Sequence, residues 1–240
     1  MVKKGCISEL EKLAKLWGSF KGRDQTLRFV QYGTRFLRGV LEKTTRDDAA
    51  IRILNQSLHV NFMNSRRAFR VVGSLTPLMG VINGPTDPLC LSSSTLSSLH
   101  RASCLCQCLW HWIDHIRYLT VIRWLDPALG VRCKRLSFSF HTLGRILMVV
   151  YFYLLLSTVK KQRKRKERAR GDGSERGKED GKWELEKEYF VTVHLVKSVM
   201  DVFTFAHVSE LLVTSDIVCG GLGALSSIID LRFMYRSLKL

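Results

Sequence analysis

Apolar residues recur at helical spacing along most of the chain, with no strand-like alternation between them. Only four prolines are present, so most of the chain is free to be helical. The pattern therefore predicts an all-α protein. Ahead of the most hydrophobic part of the chain, the predicted helices are residues 24–42, 49–72 and 96–125.

Three of the four prolines lie between the second and third of these helices. With the neighbouring glycines and serines, they predict a loop over residues 74–95. The loop separates an N-terminal helical region, residues 1–73, from a second helical region, residues 96–135, in which Asp126 and Pro127 end a helix.

Two long apolar stretches are candidates for helices that cross a membrane. Residues 146–159 carry no charge, and extending the stretch to residues 136–159 reaches the ~20 residues that a bilayer core of ~30 Å requires, although it then includes His141 and Arg145. The second candidate is residues 211–231. Because either stretch is alternatively an interfacial or buried helix, we predict one or two hydrophobic membrane helices.

The second candidate lies in a C-terminal hydrophobic helical region, residues 189–240, and contains Asp216 and Asp230. Small residues in it are spaced to allow close contact between helices within a membrane, and thereby homo-oligomers. These residues are Gly220, Gly223, Ala224 and Ser227. Between the two candidates, residues 160–188 are charged and have almost nothing to bury, which predicts a disordered linker.

The helix over residues 49–72 is amphipathic when its residues are placed at 100° intervals. Its apolar stripe, the predicted membrane-insertion face, is Ile51, Leu54, Leu58, Phe62, Phe69 and Val72. The opposite side carries the predicted ligands of lipid phosphate, which are Arg52, Arg66, Arg67 and Arg70. This pattern is typical of a helix in a membrane interface. The alternative is that the stripe packs on other helices and the arginines are solvated.

Charge and composition narrow the choice of partner. A net charge of +17 attracts phosphate-rich surfaces, whether nucleic acid or anionic lipid. A hydrophobic content of 46%, much of it in long clusters, exceeds what a disordered nucleic-acid-binding tail carries. We therefore predict an anionic phospholipid membrane as the partner, and no nucleic acid.

The sequence contains no Walker loop, no G-x-S-x-G elbow and no H-E-x-x-H motif, so we predict no catalytic site and no cofactor. Cys104, Cys108, His111 and His115 share one helical face. They extend along about 16 Å of helix, too far for one tetrahedral ion, and we predict no metal site. The seven cysteines lack the spacing of a disulfide scaffold and are expected to be free thiols.

Residues 22–37, GRDQTLRFVQYGTRFL, closely resemble the N-terminal signature of the peroxisomal biogenesis factor 11 family, the peroxin-11 proteins. Further similarities follow in the same order along most of the chain, outside about residues 163–183. They are the RRAFR segment at residues 66–70, Asp114 and Trp124, and the C-terminal GLGALSSII segment.

The resemblance implies a protein of the peroxisomal membrane that bends and elongates the membrane before division. It also implies engagement of a fission machinery that includes a dynamin-related GTPase. We therefore predict membrane remodelling by amphipathic-helix insertion and self-association, promoting peroxisome fission and proliferation. The alternative is a membrane channel or metabolite pore, because Arg145, Asp216 and Asp230 lie within the hydrophobic stretches and are candidates to line a polar path.

Two membrane spans leave the topology in conflict. They place both termini on one side, which the resemblance suggests is the cytosol, and the cationic segment 160–188 on the other side. The positive-inside rule instead keeps that segment in the cytosol.

The two apolar candidates generate a first test. We expect the protein to stay in the membrane pellet after alkaline carbonate extraction, because apolar spans are not released by loss of electrostatic contacts. Immunoblotting of pellet and supernatant measures this. Complete release into the supernatant would leave a peripheral protein.

Overall fold

The computed structural model describes residues 4–44, 48–70, 73–169 and 175–238, and within these residues it is helical with no strand. A π-helix, Ile53–Val60, joins α3 and α4 end to end. The α-helices are α1 (Lys4–Gly18), α2 (Phe20–Thr44), α3 (Asp48–Arg52), α4 (Asn61–Phe69), α5 (Leu75–Asn83), α6 (Pro88–Leu91), α7 (Ser94–Val121), α8 (Pro127–Ala169), α9 (Glu175–Val208) and α10 (Asp216–Ser237). The all-α prediction is confirmed.

Five long helices form a bundle in which each helix packs on the next. Helix α7 packs on α8, α8 on α9, α9 on α10, and α10 on α2. Helix α4 contacts both α2 and α7 and so closes the bundle into a ring. Because only five to seven residues separate consecutive helices from α7 to α10, these helices run antiparallel in this part of the ring.

Polar side chains start the long helices. The Ser93 hydroxyl accepts a hydrogen bond from the Leu96 backbone N–H at the start of α7, and Ser215 caps α10 in the same way. At the start of α8, an Asp126 carboxylate oxygen accepts from the Ala128 N–H at 2.9 Å. These caps satisfy backbone donors that have no partner within the helix.

The α7–α8 and α9–α10 turns lie at the same end of the bundle. Glu210, in the second turn, accepts hydrogen bonds from Lys134 Nζ at 2.9 Å and Arg135 Nη2 at 3.2 Å, both near the start of α8. These two cations lower the pKa of the Glu210 carboxyl. Arg123 and Glu210 both have positive φ, 60° and 65°, which reverses the chain immediately after each helix.

Helices α2 and α10 contact each other at short range, and glycines permit this approach. A Cβ added at Gly220 would lie 2.7 Å from Phe36 Cα and 2.8 Å from the Tyr32 carbonyl oxygen. A Cβ at Gly223 would meet the Tyr32 ring. Ser227 is fully buried beside them, and Ala224 is half-buried. The small residues of α10 therefore pack against α2 of the same chain, and self-association through them stays a prediction.

Two predicted irregular segments are corrected. The predicted loop, residues 74–95, contains α5 and α6, because a proline is tolerated near the start of a helix, as Pro77 and Pro88 are here. The predicted disordered linker, residues 160–188, continues α8 to Ala169 and begins α9 at Glu175, and residues 170–174 lie outside the described residues.

The helical extension of α8 and α9 has a physical cause. Lys, Arg and Glu are good helix formers. Across the two helices, Arg163 pairs with Glu188 at 2.5 Å and Lys166 with Glu184 at 2.5 Å. The charged end of α8 is thus stabilised by opposite charges on α9. The composition of the segment alone does not reveal these pairs.

Within the described residues, three helices are long and apolar enough to cross a membrane, and they are Pro127–Arg168, Glu184–Val208 and Asp216–Ser237. The first and third contain most of the predicted spans 136–159 and 211–231. The third begins five residues later than predicted, because Leu211 to Ser215 form the turn before α10. The second span was missed because Lys197 and Asp201 interrupt its apolar pattern.

The α2–α10 contact generates a test with a matched control. Replacing Gly220 by Ala adds a methyl group against the α2 backbone, and we expect a loss of about 1–3 kcal/mol in the free energy of unfolding. At Gly221 a Cβ meets only the edge of the Phe36 ring at 3.7 Å. Gly221→Ala should therefore be neutral or stabilise by up to about 1 kcal/mol, through helix propensity. Unfolding in mixed micelles measures both, and equal effects would contradict the close contact.

Candidate functional site

Residues 22–37, the family-like signature, lie on α2, and their polar side chains turn toward the interior of the bundle. Arg28 is 3% exposed, and its Nη2 donates to Asp201 Oδ1 at 2.5 Å. Asp201, on α9, is fully buried. Two charged residues that are 173 positions apart in sequence therefore pair in the interior of the bundle.

Residues from three helices also contact the Asp201 carboxylate. Lys197 Nζ donates to its Oδ2 at 3.1 Å, and the Ser226 hydroxyl of α10 donates to its Oδ1 at 2.6 Å. Arg145 Nη1 of α8 lies 3.5 Å from Oδ2. Lys197 also pairs with Asp230 at 3.2 Å. One carboxylate thus joins α2, α8, α9 and α10.

A second ionic centre joins α2 to α4. Asp24 pairs with Arg66 at 2.9 Å and with Arg70 at 3.1 Å. The Gln31 amide oxygen, one turn further along the interior face of α2, accepts from Arg66 Nη1 at 2.6 Å. Arg66 therefore has its guanidinium occupied by two side chains of α2.

A carboxylate on α7 extends this centre. Asp114 is buried and lies 3.4 Å from Arg67 Nε, 3.7 Å from Arg70 Nη1 and 3.4 Å from Arg117 Nη1. The Arg70 guanidinium also lies over the Trp110 ring, 5.0 Å from its centroid. The arginines of α4 thus hold α2 and α7 together.

A third centre lies toward the other end of α2. Arg35 Nε donates to Asp216 Oδ1 at 2.6 Å, and Arg38 pairs with the other oxygen of the same carboxylate. Asp216 is the first residue of α10, so the pair fixes where α10 begins relative to α2. Each of the three centres therefore uses a charged residue of the α2 signature or its continuation.

The predicted phosphate ligands are corrected by this geometry. Arg66 and Arg67 are buried, 6% and 3% exposed, and Arg70 is also paired inside the protein. Arg52 alone of the four is exposed, and its Nε donates to the Asp48 carbonyl oxygen. Helical periodicity correctly separates the arginines from the apolar stripe, but it does not report that carboxylates of α2 and α7 lie opposite them.

The predicted insertion stripe is not a free surface either. Ile51, Leu54, Leu58 and Phe62 are half-buried, and the segment packs on α2. The side chain of Phe69 and residue Val72 lie outside the described part of the structure. The π-helix Ile53–Val60 turns each residue through less than 100°, so the predicted stripe is out of phase across it.

The cysteines and histidines singled out by the sequence do not converge. Among the described residues, no group of three or more His, Cys, Asp or Glu side chains is arranged to hold a metal ion. Cys104 and Cys108 are buried free thiols on α7. Sequence reasoning missed Lys197 and Asp201, although a pair of opposite charges four residues apart inside an apolar helix is itself a signal of a paired, inward-facing site.

The Asp201 centre generates a mutational test. Asp201→Asn leaves the buried Arg28 and Lys197 and the partly buried Arg145 beside a neutral amide. Removing one partner of a buried ion pair costs about 3–5 kcal/mol. The control Glu42→Gln removes an exposed partner of Arg38 and should cost less than about 1 kcal/mol. Unfolding of both variants in mixed micelles checks the difference. An Asp201→Asn protein as stable as the parent would show that the centre contributes nothing to folding.

Comparison with known proteins gives a single match. The model of the family described as peroxisomal biogenesis factor 11 matches residues 10–235, a range that contains α2 to α9 and all three ionic centres. No curated protein and no solved structure matches the chain. Because the match covers nearly the whole sequence, the resemblance of residues 22–37 is confirmed, and the chain belongs to the peroxisomal biogenesis factor 11 family.

Proposed function

We propose that this protein is anchored in the peroxisomal membrane and that it bends and elongates this membrane, promoting peroxisome fission and proliferation. The observation that carries the proposal is the family match over residues 10–235. Three helices of spanning length support the membrane anchor. A peroxisomal biogenesis role follows from the family, and remodelling is the activity that the proposal adds.

Bending by insertion requires an apolar face that is free, and α1 offers one. Leu13 and Trp17 are 46% and 61% exposed, and their spacing of four residues places them on one stripe of α1. Phe20, which is 62% exposed, follows as the first residue of α2. Lys15 is exposed at another angle of the same helix. This is the pattern of a helix that lies in a membrane interface. We therefore assign the inserting role to α1 in place of residues 49–72.

The position of α1 suits a role at the membrane surface. Lys12 Nζ lies 5.8 Å from the centre of the Tyr235 ring, close to the C-terminal end of α10. Helix α10 is one of the three spans, so α1 lies beside the end of a membrane helix. Side chains inserted into one leaflet only expand that leaflet, which favours curvature toward the side of α1.

The proposed partners follow from charge and family. Anionic phospholipid is the proposed ligand of the cationic surface, which includes the exposed lysines and arginines between Lys160 and Arg168, and nucleic acid is not proposed. By family resemblance, a fission machinery that includes a dynamin-related GTPase acts on the elongated organelle. Self-association concentrates the protein along the elongating membrane.

The pore alternative has no support in the described residues. Arg145, Asp216 and Asp230 were its candidate lining residues. Each is engaged in an ion pair within the bundle: Arg145 with Asp201, Asp216 with Arg35, and Asp230 with Lys197. No enzymatic activity is proposed for a member of a biogenesis-factor family.

Vesicle remodelling by the full chain tests the proposal and the inserting helix together. The parent protein should tubulate vesicles that contain anionic lipid. Leu13→Glu with Trp17→Glu puts two carboxylates into the stripe of α1 and should abolish tubulation without unfolding the protein, because both side chains are exposed. Electron microscopy of the vesicles, with far-ultraviolet circular dichroism of each variant, measures this.

Two further variants make the outcome decisive. Lys15→Glu changes the net charge by the same two units but leaves the stripe intact, so it should still tubulate. Leu58→Glu with Phe62→Glu tests the originally predicted stripe. If this pair abolishes tubulation while folded, and the α1 pair does not, insertion belongs to residues 49–72. A parent protein that leaves vesicles spherical at high coverage would contradict remodelling itself.

A further inference from the structure

Helix α2 presents an apolar outer surface despite its many charges. Over residues 22–41, all of which the structure describes, the exposed side chains are Phe29, Phe36 and Leu37. Arg28, Asp24 and Arg35 of the same segment are engaged in ion pairs inside the bundle. The polar residues of α2 therefore face inward and its apolar residues face outward.

Helix α7 has the same inverted arrangement. Over the fully described residues 102–122, the exposed side chains are Leu105, Trp112, Ile116, Val121 and Ile122. The charged residues of that stretch, Asp114 and Arg117, are buried. Because their inward faces are polar, α2 and α7 are less apolar over a spanning length than α8, α9 and α10 are.

The three helices of spanning length show the same outer surface. On α9, the exposed residues between 189 and 208 are Tyr189, Phe190, Val196, Val199 and Phe203. On α8, the exposed residues between 136 and 159 are Leu136, Leu143, Ile146, Val150 and Tyr153. On α10, those between 216 and 231 are Val218, Leu225 and Ile228. A soluble bundle has the opposite distribution, with charged residues outside and apolar residues inside. The apolar outer surface is therefore continuous from the spans onto α2 and α7.

Exposed charges mark both edges of this surface. On α2 they are Lys21 and Glu42, and on α7 they are Arg101 and Arg123. The 20 or 21 residues between them extend roughly 30 Å at 1.5 Å per residue, which is the thickness of a bilayer core.

We propose that α2 and α7 are embedded in the bilayer beside α8, α9 and α10, with lipid acyl chains covering their outer faces. Charged residues inside a membrane are tolerated where they face the bundle interior and pair with one another, as the Asp24, Asp114, Asp201 and Asp216 centres do. A second copy of the chain covers one side of a bundle, whereas this apolar surface continues over five helices.

The proposal settles the conflict in topology. Helices α8 and α9 cross in opposite directions, so the α7–α8 turn and the α9–α10 turn share one membrane face, as the Lys134–Glu210 contact requires. Helix α7 begins at the opposite face. Helix α2 begins there too, because residues 48–70 run antiparallel along it and return the chain to that face, as the His59–Gln31 and Arg66–Asp24 contacts show. The cationic end of α8 and the C-terminal end of α10 then share the opposite face, with α1 beside Tyr235. Both ends of the described chain and the densest positive charge lie together on the side that the positive-inside rule assigns to the cytosol.

Photo-crosslinking in reconstituted vesicles tests the proposal. Benzoylphenylalanine is placed singly at Phe29, Phe36 or Trp112, which are exposed aromatic positions that accept it with little change in shape. We expect lipid adducts in a yield comparable to that at Ile228 on α10. The aqueous control is Lys164, which is exposed beyond the apolar part of α8 and should form few lipid adducts. Mass spectrometry of the purified protein measures the adducts.

Each other outcome overturns the proposal. Protein–protein adducts at Phe36 and Trp112 would assign these faces to a second copy. An absence of adducts there, with Ile228 still crosslinked to lipid, would place α2 and α7 in water. Protease resistance equal to that of the parent establishes that each variant is folded. Tubulation by the parent is scored separately, so failure of membrane remodelling and failure of this topology are distinguished.

Discussion

One buried carboxylate, that of Asp201, constrains how the long helices pack. A carboxylate without solvent is strongly unfavourable unless cations and hydrogen bonds surround it. Here Arg28, Lys197 and Arg145 converge on it from three helices, and the Ser226 hydroxyl completes its partners. Sliding any of these helices by one turn would leave a buried charge unpaired. The interaction therefore selects a helix register that apolar packing alone leaves less strictly defined.

The need to pair buried charges also explains the polar residues of the α2 signature, residues 22–37. Asp24, Arg28, Gln31 and Arg35 recur at intervals of three or four residues, which places them on the interior side of one helix. Asp24 and Gln31 both contact Arg66 on α4. Arg28 pairs with Asp201 on α9, and Arg35 pairs with Asp216 on α10. The segment that carries the family resemblance therefore provides the ionic contacts that hold the bundle together. Its residues organise the protein interior rather than bind a ligand at the surface.

Helical periodicity identified α2, α7, the amphipathic segment and two of the three spans, because these depend on local spacing. It did not identify the residues that each helix face contacts. The arginines at positions 66, 67 and 70 were separated correctly from the apolar stripe, yet their partners Asp24 and Asp114 are about 40 to 50 residues distant in sequence. Helix α9 was missed as a span, although its residues lay largely in the predicted C-terminal helical region, because Lys197 and Asp201 interrupt its apolar sequence while they pair with each other in space. In a membrane bundle, the polar residues of a helix indicate its position as well as its apolar residues do, provided that the residues they pair with are known.

The junction between α1 and α2 relates the bundle to the proposed remodelling. The Ser19 hydroxyl donates to the Leu16 carbonyl at 2.7 Å and accepts from the Gly22 N–H at 3.0 Å, so both helices are tied to the residue between them. Gly22 lies so close to Leu16 that a side chain there would meet the Leu16 backbone. A junction held this tightly restricts the angle of α1 relative to α2. Since ordering a flexible hinge on insertion would cost conformational entropy, a fixed angle lets more of the free energy of burying Leu13 and Trp17 act on the membrane. The same α2 that holds the ionic core in register thereby positions the helix proposed to bend the lipid.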